Sequence, residues 1–153
     1  RIAVQAHGNF NKAADLVYSD SEEQLFDSWF VQWVRSAFMV KQKKSAVNDL
    51  MLWSLEVSKS GRETQKRFIQ HCLHVFRQAL LYNYGMTALV FDPLSVEQFN
   101  FEKFAGYIHE GNILQIRAAL EEAYLHISRN GNPKLVWTDL SLDLTRFIHK
   151  TAG

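Results

Sequence analysis

The chain contains little that would break a helix. Two prolines and seven glycines in 153 residues leave few punctuation marks. Those present fall between periodic segments, as in long helices joined by short loops. Strict polar–apolar alternation over strand lengths is almost absent, which argues against the sheet-based classes. A single cysteine, Cys72, excludes an internal disulfide and fits a reducing compartment. No uninterrupted apolar run is longer than four residues, as at 37–40, against the roughly 20 that a membrane-spanning helix requires. Neither sign of charge dominates. Seventeen Lys and Arg against sixteen Asp and Glu leave +1, so bulk charge selects neither nucleic acid nor acidic ligands. There is no G-x-x-x-x-G-K-[ST] and no G-x-G-x-x-G, hence no such loop of backbone N–H groups to cradle a nucleotide phosphate.

What is present is apolar and aromatic: 47% hydrophobic and 13% aromatic residues against 22% charged, a balance that fills a core and argues against disorder. Ile2 to Tyr18 reads as two short helices broken at Gly8-Asn9, the second capped by Asn9 or Asn11. Ser19 with Glu22, or Ser21 with Gln24, forms a capping-box pattern that predicts a helix start. From there Leu25, Phe26, Trp29, Phe30, Trp33, Val34, Ala37 and Phe38 make one wide aromatic stripe, ending near the cations Lys41, Lys43 and Lys44. Val47, Leu50, Met51 and Leu55 predict a third helix with Gly61 as its left-handed stop. Arg62 to Tyr84 is read as the longest helix, with Phe68, Ile69, Cys72, Leu73, Phe76, Ala79, Leu80 and Asn83 on one side and Gly85 ending it. Met86 to Asn100 is less periodic and turns at Asp92-Pro93, and Phe99, Phe101, Phe104 and Ile108 suggest a short helix closing before Gly111. Asn112 is placed to cap a helix carrying Ile113, Ile116, Leu120, Tyr124 and Ile127. Asn130-Gly131-Asn132-Pro133 breaks the chain sharply, with Asn132 at an N-cap and Pro133 at the first helical position of a helix that turns Val136, Leu140, Leu144, Phe147 and Ile148 inward. The fold class is therefore all-α. Seven or eight helical segments are read in all, with about five to six forming the bundle.

Chemistry is harder to find. His71 and His74 lie i, i+3 around Cys72, but tetrahedral zinc needs three or four ligands, and His109 and His126 have no diagnostic spacing. Packing and surface roles are the plainer reading, with Cys72 a small buried thiol beside Ile69 and Phe76. Glu22-Glu23 and Glu121-Glu122 are adjacent, so on a helix they diverge by about 100° and cannot converge on one substrate. No G-x-S-x-G elbow is present. No catalytic, metal-binding or cofactor-binding residue is assigned. Lys59, Arg62, Lys66 and Arg67, like the Lys41–Lys44 cations, offer a surface for phosphates. Helix-end cations and solvated faces are the plainer account, with Glu56 and Glu63 nearby. Trp29, Trp33, Trp53, Trp137 and eleven phenylalanines are more than a small bundle needs. Most of them belong to a core, and the remainder suits packing against other proteins.

Three stretches carry a family resemblance. Arg1 to Leu16, with Gly8-Asn9 followed by Ala13, resembles the last helices of an AAA+ lid. Gln65 to Leu81 is similar to the long collar helix of bacterial clamp-loader subunits. His126 to Leu144 is the most specific: Arg129-Asn130-x-Asn132 precedes Thr138-Asp139-Leu140-x-Leu142, as in the delta-prime subunits of bacterial DNA polymerase III. Met86 to Glu110 matches least. The resemblance implies the end of an AAA+ lid at 1–18 and a helical collar domain at 19–153. The chain opens at Arg1 in mid-pattern, which reads as a piece of a larger protein.

The implied function is a non-catalytic one, holding together a pentameric loader that places the sliding clamp on primed DNA. Gamma/tau and delta are the implied partners, the clamp is touched only indirectly, and neither DNA contact nor cofactor is expected. The implied location is cytoplasmic, at the replisome. The family's trans-acting Ser-Arg-Cys motif and zinc module belong to a more N-terminal region. No Ser-Arg-Cys occurs in these residues, so neither is assigned. Two alternatives stay open: the collar of a sister subunit (gamma/tau or delta), and an unrelated helical metal enzyme built around His71 and His74. Asn130, Asn132 and Pro133 are expected to form an architectural turn. Arg129, Trp137, Thr138 and Asp139 are interface candidates, although an internal role is the plainer one for Trp137 and Arg129. A permanent assembly also implies exposed apolar surface on the isolated chain.

Overall fold

The computed structural model describes residues 12–86 and 99–150, with side chains from Ser21 onward. All its elements are helices: α1 (Lys12–Met39), α2 (Ser45–Ser58), α3 (Arg62–Asn83), α4 (Phe101–Ala105), α5 (Ile113–Ser128) and α6 (Pro133–Ile148). The all-α expectation holds, and no strand occurs among the described residues. α2 lies between α1 and α6, α3 packs on α5 and α4, and α5 and α6 form an antiparallel hairpin joined by a short turn.

The aromatic stripe of α1 folds inward as the spacing requires: Phe26, Trp29, Phe30, Trp33, Val34 and Ala37 are all buried. The expected start at Ser19 to Glu23 is corrected, because α1 runs unbroken across it for 28 residues. Serine and aspartate weaken a helix interior by only a few tenths of a kcal/mol, roughly, so a potential cap is not an obligatory start. Glu22 also has a stronger use. Its two carboxylate oxygens accept from Arg67 Nε and Nη2 of α3 at 2.7 and 2.9 Å, which pushes the Arg67 pKa up. At 28 residues α1, and not α3 with 22, is the longest described helix. The division expected between residues 18 and 19 falls inside it. Asn9, Asn11 and the Asp92-Pro93 turn lie outside the described residues.

Two smaller corrections concern α2 and its end. Its buried line is Ala46, Leu50, Trp53 and Val57, while Val47 is 39% exposed; the stripe is shifted toward Trp53, the largest side chain of the helix. Gly61 has φ −66° and stands at the N-cap of α3, so it is no left-handed stop. Gly85 is one: at φ +79° it ends α3, as expected.

The four tryptophans sit at the centre of the bundle, and each indole N–H finds an acceptor. Trp29 donates to Glu56 Oε2 at 3.1 Å, Trp53 to the Trp29 carbonyl at 2.9 Å, Trp33 to Ser141 Oγ at 2.9 Å, and Trp137 to Gln65 Oε1 at 2.9 Å. Trp33 and Trp53 stack with centroids 5.0 Å apart, and Trp137 meets both edge-on at 6.4 and 5.6 Å. Ser54 and Ser141 share a hydroxyl contact at 3.0 Å, and Ser141 also donates to the Trp137 carbonyl at 2.8 Å. Gln65 Nε2 donates to the Ser60 carbonyl at 2.6 Å. This buried network ties α1, α2, α3 and α6 together with its polar atoms satisfied.

Candidate functional site

The α5–α6 hairpin holds the sequence elements singled out for a role, and its turn is built residue by residue. Asn130 adopts φ +63°, a conformation that asparagine tolerates better than other side chains. Its N–H donates to the Ile127 carbonyl at 3.2 Å, and the Gly131 N–H donates to the His126 carbonyl at 2.6 Å. Together these are the two closing bonds of a Schellman motif. Glycine is required at 131, because a Cβ there would stand 2.7 Å from the His126 carbonyl oxygen. Asn132 Oδ1 then accepts the Leu135 N–H at 3.3 Å, and Pro133 opens α6. Arg62, at the start of α3, reaches across and donates Nη1 to the Ile127 carbonyl at 3.2 Å and the Gly131 carbonyl at 2.9 Å.

The architectural turn expected at Asn130, Asn132 and Pro133 is therefore present. Asn132→Ala is expected to lower stability by about 1 kcal/mol through the lost cap. Thermal unfolding should register this as a fall of about 2–4 °C; an unchanged midpoint would show that the cap contributes nothing.

Between α5 and α6 runs an open groove lined by Ala118, Ala119, Ala123, Leu135, Val136, Leu140 and Phe147, with Gln115, Glu122, His126, Asp139 and Asp143 supplying its polar groups. His126 Nε2 lies 3.3 Å from Glu122 Oε1, and Arg146 pairs with Asp143. Among the interface candidates, Asp139 lines this groove and is exposed, Arg129 is exposed at the turn, and Thr138 is half-buried. Trp137 is corrected: it is completely buried and hydrogen-bonded to Gln65, so it meets no neighbour from this position. It lies about 100° around α6 from Val136, on the inner line with Leu140, Ser141 and Leu144.

The other candidate chemistry is dispersed. His71 Nε2 stands 2.8 Å from Asp27 Oδ1, both side chains nearly buried, close enough for an ion pair but not aligned as a hydrogen bond. Cys72 is fully buried beside it in sequence, and desolvation pushes its thiol pKa well up, so at neutral pH it is a protonated packing group and a poor ligand or nucleophile. His109 contacts the Lys150 carbonyl at 3.1 Å and His126 pairs with Glu122. Among the described residues, no group of three or more His, Cys, Asp or Glu is placed to hold a metal. Members of the basic cluster are engaged within the chain: Arg62 on carbonyls, Lys66 on Glu63 and over the Tyr124 ring, Arg67 on Glu22.

Sequence reasoning missed Arg62 as the brace of the turn, Gln65 and Ser141 as core acceptors, and four exposed leucines of the hairpin. A signal existed for the leucines, since Leu114, Leu125, Leu135 and Leu142 are apolar yet lie off the buried lines of their helices. Arg62 had none, because its acceptors are backbone carbonyls 65 and 69 residues away. Comparison of the chain with protein-family models, with curated proteins and with solved structures found no match.

Proposed function

We propose that the chain is a non-catalytic assembly module: the collar region of a clamp-loader subunit of the delta-prime kind. In this reading it holds a pentameric loader together while the sliding clamp is placed on primed DNA. The observation that carries the reading is the stretch His126 to Leu144, whose resemblance is the most specific in the chain and whose residues form one unit, the braced turn and the first part of α6. The physical character of the bundle supports it. A collar has to keep its geometry while attached modules move, and a core of interlocked, fully hydrogen-bonded tryptophans resists deformation. The ion pairs that form run one to one across helices or along one helix, and among the described residues no group of three or more His, Cys, Asp or Glu is placed to hold a metal.

Gamma/tau and delta are the proposed partners, with no cofactor and no DNA contact of its own, in the cytoplasm at the replisome. No described helix is long and apolar enough to cross a membrane. The collar of a sister subunit is the nearest alternative; the Arg129-Asn130-x-Asn132 turn favours delta-prime. The metal-enzyme alternative is weakened by the pairing of His71 with Asp27 and by the protonated state of Cys72.

The test is co-elution of the chain with gamma/tau and delta supplied together. A stable complex is the expected result, and absence of association with either subunit defeats the assembly reading. Stoichiometric zinc in the purified chain would replace it with the metal reading.

A further inference from the structure

The outer face of the α5–α6 hairpin carries apolar surface that nothing within the described chain covers. On α5, Leu114 and Leu125 are 71% and 48% exposed; on α6, Leu135 and Leu142 are 63% and 46% exposed. Separations of eleven and seven residues place each pair on one side of its helix. Leu135 lines the groove directly, and its floor is closed by Ala119, Ala123, Val136 and Phe147. Isolated exposed leucines are ordinary; here Leu135 adds to the apolar lining of a groove, and Leu114, Leu125 and Leu142 stand exposed on the same two helices.

Apart from His126, the ionisable groups lining the groove itself are carboxylates, with Arg146 exposed beside it on α6. Glu122, Asp139 and Asp143 line the groove, and no Lys or Arg does. His126 and Arg146 answer Glu122 and Asp143. Asp139, exposed halfway along α6, pairs with no described residue.

We propose that this face is the docking site for an amphipathic helix of a partner protein, one whose leucine- or isoleucine-type strip is flanked by Lys or Arg. A groove between two antiparallel helices accepts a third helix through side chains at i, i+3, i+4 and i+7. The carboxylates select the flanks: a cation opposite Asp139 gains an attraction that an acidic flank turns into repulsion. The same charges disfavour the other occupants. A second copy would set carboxylates against carboxylates across an isologous interface. Anionic membrane surfaces and nucleic-acid phosphates would be repelled. The proposal deepens the assembly reading by naming the face and the chemistry of the partner segment, and rests on that reading only for the existence of a partner in a larger complex.

The test uses the whole chain and two synthetic amphipathic peptides of about 16 residues, the length of α5, identical in their leucines and flanked by Lys in one and Glu in the other. Calorimetry is expected to show the Lys peptide binding about tenfold or more tighter than the Glu peptide. Asp139→Lys and Leu135→Ser should each weaken the Lys peptide about tenfold. Both sites are exposed, so the thermal midpoint should hold within a few degrees, and circular dichroism checks that the variants fold. No binding of the Lys peptide, equal binding of the two, or indifference to both variants overturns the proposal. So does a dimer in sedimentation that Leu135→Ser dissociates, since the occupant is then a second copy. Peptide binding without co-elution with gamma/tau and delta would leave the groove standing and the assembly reading fallen; co-elution without peptide binding would do the reverse.

Discussion

Trp137→Ala is expected to destabilise the protein by about 4 kcal/mol, the range of large-to-small changes at a fully buried aromatic. The indole has no exposed surface, sits edge-on to both Trp33 and Trp53, and lies 5.6 Å from Phe68. Its removal leaves a cavity bordered by rings that cannot follow it inward without breaking the Trp33–Trp53 stack. It also takes away the donor to Gln65 Oε1, an acceptor on a residue only 1% exposed. For a chain of this size the midpoint should fall by roughly 8–16 °C. Two further variants separate packing from hydrogen bonding. Trp137→Phe keeps most of the ring and should cost about 1–3 kcal/mol, mainly through the orphaned Gln65. Adding Gln65→Leu to Trp137→Phe removes the orphan, so the double variant should be more stable than additivity predicts. Thermal or denaturant unfolding reads all three. A Trp137→Ala variant within 1 kcal/mol of the parent would contradict the placement of this indole at the centre of the bundle.

That tryptophan shows where a one-dimensional reading stops. Its helix, its cap and its periodicity are all evident from residues 132–148, because they depend on neighbours within four positions. Whether it faces inward or toward a partner depends on Gln65, 72 residues away, and on Ser141 turning Trp33 into a neighbour across 108 residues. Ser19 to Glu23 shows the same limit from the other direction. The capping-box pattern is a local signal, yet α1 runs through it, and Glu22 pairs with Arg67, 45 residues away. α2 was misphased for a third reason: Val47 and Leu50 fit an apolar line as well as Ala46 and Leu50 do, and only the bulk of Trp53 decides between them. At the hairpin, the chain break, the Asn132 cap and the Pro133 helix start were evident from residues 130–133, whereas the Arg62 brace and the groove required knowing which helices lie side by side. Leu114, Leu125, Leu135 and Leu142 stand out as surplus only once the buried lines are known.

Asn112 is where the local expectation and the folded role diverge most, and its replacement is the second large expected effect. It precedes α5 and was expected to cap it, yet its side chain makes no cap bond. Completely buried, it instead holds two stretches of backbone together: Oδ1 accepts the His109 N–H at 3.0 Å and Nδ2 donates to the Tyr107 carbonyl at 2.9 Å, both in the loop before α5, while Nδ2 also donates to the Phe147 carbonyl at 3.0 Å. The contact to Phe147 fastens the end of α6 to the loop before α5, beside the His109–Lys150 contact and the Asn83 bond to the Ile108 carbonyl. Asn112→Ala leaves the His109 N–H and the Tyr107 carbonyl without their partner, takes one bond from a Phe147 carbonyl that keeps the Lys150 N–H, and should cost about 3 kcal/mol. Hydrogen exchange should quicken first at the C-terminal turn of α6 and at His109. Asn112→Asp is the sharper test, because it keeps the shape and the acceptor but, when ionised, presents negative charge to two carbonyls in a dry site. Burial raises the pKa of such a carboxyl in the folded state above the unfolded value of about 3.9. The neutral form is then the one the fold favours, so the deficit is smallest below about pH 4 and grows as pH rises through the folded-state pKa. Asn112→Asp should be less stable than Asn112→Ala at pH 7 and should recover ground against it on acidification. A deficit that does not depend on pH would mean that the side chain at 112 is solvated, and that the clamp between α6 and the α5 loop does not exist as described.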